Sequence, residues 1–201
     1  GISGGKDSSV VAALCCAAFG AKNVHGLLMP NGEQKDITDS IELCVSLGIS
    51  YDVINIETAF NGIFNPILKT DGKKKVEDAK INLPARLRMA TLYAYAQSHD
   101  AFVIGTCNRS EDVVGYATWG GDNFASLMPI ARLTTEEVMQ IGDDLGLPGH
   151  LVHKIPVDGL QEFSDEEKLG FTYHEVNELI REGKRGPNFW NIMKMYKKNR
   201  F

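Results

Sequence analysis

Hydrophobic and polar positions along the 201-residue chain switch between two periods. From Ser8 to Phe19 the run SSVVAALCCAAF has helical spacing, with Val11, Leu14, Cys15 and Ala18 on one face and Gly20 where a C-terminal cap would stand. NVHGLLMP at 23–30 is a short apolar run ending at Pro30, and Gln34 to Leu47 returns to helical spacing. YDVINI at 51–56 alternates and is rich in β-branched residues, which predicts a strand. A long helix is predicted from Leu83 to Ser98, a buried strand over AFVIGT at 101–106, and shorter helices at 134–146, 174–182 and 187–199. KTDGKKK at 69–75 reads as an exposed connection.

Strands alternating with helices imply a doubly wound α/β fold, a mostly parallel sheet flanked by helices. Such sheets bind ligands beyond the carboxyl ends of their strands, and the loops at 1–8, 28–36 and 106–111 all leave by those ends. The glycine-rich segment 115–129 lacks periodicity and reads as a functional loop. With 43% hydrophobic residues, the chain supports one domain over 1–201. It opens at a loop, with no initiator Met and no strand before it, so we expect both natural ends to lie beyond it.

Net charge of −5 and a pI near 5.5 give no footprint for nucleic acid or an acidic membrane, so an anionic substrate needs a local cationic site. No stretch is long and apolar enough to span a bilayer, and no signal peptide is visible. Cys15, Cys16, Cys44 and Cys107 form no CxxC pair, which fits a reducing cytoplasm. Of the five histidines only His150 and His153 have helical ligand spacing, and they lack a carboxylate or cysteine companion in that spacing.

The chemistry concentrates in GISGGKDS. Its glycines let backbone amides approach phosphate oxygens, and a helix N-terminus stands behind them. Gly1, Ile2, Ser3, Gly4, Gly5, Lys6, Asp7 and Ser8 are therefore candidate ATP ligands. The loop is not of Walker A type, because Asp7 follows the lysine where that motif needs Ser or Thr. Asp7 can instead hold magnesium against the phosphates. The bland alternative is a glycine turn capped by Asp and Ser.

SGGKDSS resembles the SGGxDS signature of the N-type ATP pyrophosphatases, which cleave ATP between the α and β phosphates and adenylate a substrate oxygen. NLPARLRM at 82–89 is similar to the N-x-x-A-R-x-R-M motif of one branch, the ammonia-dependent NAD synthetases. GTCNRSE at 105–111, PNGEQKD at 30–36, HKIPVDGL at 153–160 and DEEKLGFTY at 165–173 resemble further segments of that family, in its order. The resemblance implies ATP-dependent amidation of deamido-NAD by ammonia, giving NAD, AMP and pyrophosphate through an acyl adenylate.

It also implies roles. Gln34 and Thr106 would meet the nucleotide, and Glu111 would join Asp7 at magnesium. Asn82, Arg86 and Trp119 would meet the acceptor substrate. Asp7 and Asp122 would be catalytic, the latter orienting or deprotonating ammonia. A cytoplasmic homodimer is implied, with no nucleic-acid or membrane partner. Departures fall on the acceptor side: Trp119 and Thr135 stand where the family usually has Lys, Ser126 where it has Asp, and Val157 where it has Thr. A tRNA-modifying or thiolating pyrophosphatase is the alternative, and a noncatalytic nucleotide-binding module a third reading.

Overall fold

The computed structural model describes residues 1–72, 74–154 and 165–198. The chain runs α1 (Lys6–Phe19), β1 (His25–Leu28), α2 (Ile37–Leu47), β2 (Ser50–Val53), α3 (Glu57–Leu68), α4 (Val76–Ser98), α5 (Arg109–Val114), α6 (Thr135–Asp144), α7 (Gly149–Val152), α8 (Asp165–Leu169), α9 (Tyr173–Glu182) and α10 (Phe189–Lys198). β1 and β2 pair in parallel, His25 opposite Ser50 and Leu28 opposite Val53. The opening residues extend this layer, since Ile2 N–H donates to the Leu27 carbonyl at 2.9 Å. Ile104 and Leu127 form a further parallel bridge.

The main core packs α1 between this layer and α6 and α7. Val10, Leu43, Ile130, Val138, Leu151 and Val152 meet there, all fully enclosed. Each such aliphatic side chain contributes about 1.5–3 kcal/mol by burial. Gly142 permits the crossing of α6 over α1, because a Cβ there would lie 2.9 Å from Val152 and 3.1 Å from Val10. A second core joins α5 and α9 to α10 through Val113, Val114, Tyr173, Val176 and Ile192.

Several boundaries differ from the predicted ones. Ala18 is exposed, because only the N-terminal part of α1 is enclosed and its end emerges into solvent. Segment 101–106 is not a regular buried strand: Phe102 is 82% exposed, and among the described residues Val103 and Gly105 bond to the irregular segment 126–127. All four residues of β2 face solvent, so its alternation does not mark a buried face. α4 starts at Val76, which puts Pro84 in the helix interior and not in its first turn. α3 was masked in the pattern by Gly62 and Pro66, both of which lie inside it.

Candidate active site

The opening loop folds into a tight glycine turn in front of α1. Gly4 has φ +76°, and a Cβ there would press within 3.0 Å of Asp39 and 3.1 Å of the Ser40 hydroxyl, so the position requires glycine. No side chain caps the start of α1, whose first-turn amides point toward the loop. Ser8 Oγ accepts from Ser3 N–H at 3.3 Å, lies 3.0 Å from Ser3 Oγ and donates to the Gly5 carbonyl at 3.0 Å, which locks the turn.

Asp7 is the hub. Its Oδ1 accepts from Asn108 Nδ2 at 2.9 Å and its Oδ2 from Lys6 Nζ at 2.6 Å. Asn108 is completely enclosed and caps α5: its Oδ1 accepts from Glu111 N–H at 3.0 Å, while Glu111 Oε2 accepts from Asn108 N–H at 3.2 Å. One asparagine thus fixes two carboxylates. Burial, then the charge of Asp7, push the Glu111 carboxyl up to about 8, and Lys6 opposes the shift.

Asn108 was missed in the sequence reading: the local pattern N-R-S-E carries the signal of its cap, but its reach to Asp7 depends on α1 and α5 meeting across 101 positions of chain. Asp7 and Glu111 offer the hard oxygen donors that magnesium takes. Among the described residues no group of three or more His, Cys, Asp or Glu side chains forms a complete cage. The donor set therefore fits a magnesium ion that keeps waters and phosphate oxygens in its remaining positions.

The glycine-rich loop docks on α4. Arg86 Nε donates to the Trp119 carbonyl at 3.1 Å, and Asn82 Oδ1 accepts from Thr118 Oγ1 at 2.9 Å. Gly121 lies flat on the helix, since a Cβ would meet the Ala85 backbone at 3.1 Å. Asn82 and Arg86 thus hold the loop that would face the acceptor. The Trp119 side chain is 69% exposed. Asp122 Oδ1 accepts from Thr118 N–H at 2.5 Å, bracing the same turn. Enclosure by the surrounding wall raises the Asp122 carboxyl, although its outer edge meets solvent; backbone amides and Arg88 oppose the rise.

Arg88, whose Nε donates to the Met29 carbonyl at 2.9 Å, brings the end of β1 to this wall. Gln34 turns inward along its own loop and donates to Asp36 at 3.1 Å; Asp36 also accepts from Lys154 at 2.6 Å. Thr106 follows the bridge at Ile104, two residues before Asn108. Thr135 is buried at the start of α6, where its N–H donates to Ser110 Oγ at 3.2 Å. Ser126 Oγ accepts from Val103 N–H at 3.4 Å. Pro156 and Val157 lie outside the described residues. Cys107 sits among Asp122, Glu111, Asp7 and Asp112, and burial followed by those charges holds its thiol protonated.

Comparison with known proteins identifies the family. A family model described as NAD synthase matches residues 1–200. The NH(3)-dependent NAD(+) synthetase of Thermococcus kodakarensis is 39% identical over 181 residues, covering 90% of this chain and 70% of the relative. That of Finegoldia magna is 40% identical over 182 residues, covering 90% and 73%. Among solved structures, the NMN synthetase of Francisella tularensis superposes with a TM-score of 0.88 at 32% identity, over 100% of this chain and 85% of that one. The NH3-dependent NAD synthetase of Campylobacter jejuni gives 0.75 at 28% identity, over 98% and 82%. The family model over residues 1–200, with relatives 39–40% identical over 90% of the chain, places the chain in the NAD synthase family.

Proposed function

We propose that the protein amidates deamido-NAD with ammonia, consuming ATP and releasing AMP and pyrophosphate. The carrying observation is the Asp7–Asn108–Glu111 hub behind the amide cradle of α1. A carboxylate resists ammonia until its oxygen becomes a good leaving group, and adenylation supplies that. The nicotinate oxygen attacks the α-phosphorus, pyrophosphate departs, and ammonia then displaces AMP from the acyl carbon. The loop amides, with the Ser3 and Ser8 hydroxyls beside them, bind the departing phosphates where charge grows. Magnesium held by Asp7 and Glu111 would supply positive charge to those phosphates.

On the acceptor side, Asn82 and Arg86 fix the loop that carries Trp119 and Asp122, and Asp122 faces the incoming ammonia. The thiolating alternative needs a reactive thiolate. All four thiols are instead raised above their ordinary range, burial being the first cause in each, which supports amidation over sulfur transfer. No helix among the described residues is long and apolar enough to cross a membrane. Free thiols favour a cytoplasmic setting. A second copy fits the uncovered apolar positions Ile63, Leu68 and Ile81 on α3 and α4 and Val53 on the β2 edge. Sedimentation should then report a dimer.

A second acceptor, nicotinate mononucleotide, is favoured by one observation: the likeness to the NMN synthetase spans the whole chain at the higher TM-score. Incubation with ATP, magnesium, ammonium and, in turn, each nicotinate nucleotide and tRNA, followed by chromatography, tests both. NAD and AMP from deamido-NAD support the main reading. NMN formed faster than NAD supports the second, and AMP formed only with tRNA sinks both.

A further inference from the structure

Lys6 occupies a costly place. It is 6% exposed, so its ammonium has little water around it. It also opens α1, where the helix dipole disfavours a cation. Both penalties call for nearby negative charge, and the Asp7 carboxylate supplies it at 2.6 Å.

Both oxygens of Asp7 are therefore engaged, one by Lys6 and one by Asn108. Asn108 cannot readily yield, because it is fully enclosed and its carbonyl caps α5. Lys6 can, since a four-carbon stem lets the ammonium turn while its backbone stays in the helix.

We propose that Lys6 is a resident counter-ion that competes with a divalent metal for Asp7. In the nucleotide-free protein the ammonium holds Oδ2 and weakens metal binding there. When ATP arrives with its metal, the metal takes Oδ2 and the ammonium passes to the polyphosphate oxygens. Lys6 thereby makes metal loading depend on nucleotide, and it exchanges one anionic partner for another without ever being left unpaired. This rests on the reading of Asp7 as a metal ligand.

The test is manganese binding followed by electron paramagnetic resonance on the intact protein without nucleotide. Lys6→Met should bind Mn2+ about tenfold more tightly than the wild type, and Lys6→Arg should stay near it. Asp7→Asn added to Lys6→Met should erase the gain. Pyrophosphate should bind Lys6→Met about tenfold more weakly. Unchanged or weaker Mn2+ binding in Lys6→Met overturns the proposal, even in an enzyme that makes NAD. A tighter Mn2+ site in a protein that makes no amide leaves the counter-ion standing and removes the proposed function. Should Lys6→Met fail to fold, the 13Cε resonance of Lys6 in the wild type decides. It should move on adding ATP with magnesium and stay put with magnesium alone, and the reverse pattern is contrary to the proposal.

Discussion

The proposed phosphate end and the proposed acceptor end of the site are built in different ways. At the phosphate end, Asp7, Asn108 and Glu111 are linked by side-chain and capping hydrogen bonds inside the fold, and Asn108 has no solvent exposure. At the acceptor end, the loop around Trp119 rests on α4 through Arg86, Asn82 and the flat contact of Gly121, with its aromatic ring in solvent. A preorganised cradle suits a triphosphate that is the same in every turnover. A loop held at few points can be reshaped by few substitutions, which suits the part that distinguishes one nicotinate nucleotide from another.

The largest effect should come from breaking the rigid half. Asp7→Ala is expected to reduce pyrophosphate release by about 1000-fold or more while the fold persists, as read by a coupled phosphate assay and circular dichroism. If the phosphate end can lose Asp7 with a tenfold change or less, the contrast between the two ends fails. Next, Arg86→Ala should raise the KM for the nicotinate nucleotide about tenfold and leave the KM for ATP nearly unchanged, as loss of a loop anchor predicts. Equal rises in both constants would show that the ends are not separable.

A pH effect of similar size follows from Glu111. Its carboxyl is raised to about 8, so it is neutral below that value, and a metal must displace the proton to bind. Metal affinity should rise about tenfold per pH step below 8 and level off above it, as measured by titration calorimetry without nucleotide. The sign for stability is opposite. A raised carboxyl binds its proton more tightly in the fold, so its contribution is complete below its ordinary value near 4.5 and is lost as pH rises through about 8. Smallest is Asn108→Ala, which removes a cap and should cost about 1 kcal/mol, lowering Tm by about 2–4 °C. It should also slow pyrophosphate release, whereas Thr172→Ala, which removes the equivalent cap of α9, should lower Tm alone.

The phosphate end was the more legible in sequence because it is local. Eight adjacent residues carry the loop, and N-R-S-E carries the α5 cap within four positions. The acceptor end depends on contacts between Asn82, Arg86 and residues more than 30 positions later, which no period along the chain reveals. The same limit explains the strand at 101–106. Its apolar run is genuine, yet whether Phe102 is covered depends on what the rest of the fold brings beside it. α3 was illegible for the opposite reason, since Gly62 and Pro66 speak locally against a helix that packing on α4 sustains.

Asn108 has one more consequence. α5 has six residues and is too short to hold itself together, so its cap is a large part of what keeps it wound. The amide of Glu111, bonded to that cap, should exchange its hydrogen for deuterium whenever α5 frays. Each such opening also releases one of the anchors of the Asn108 side chain, whose amide nitrogen holds Asp7. A single exchange rate would then report how often the support of Asp7 loosens.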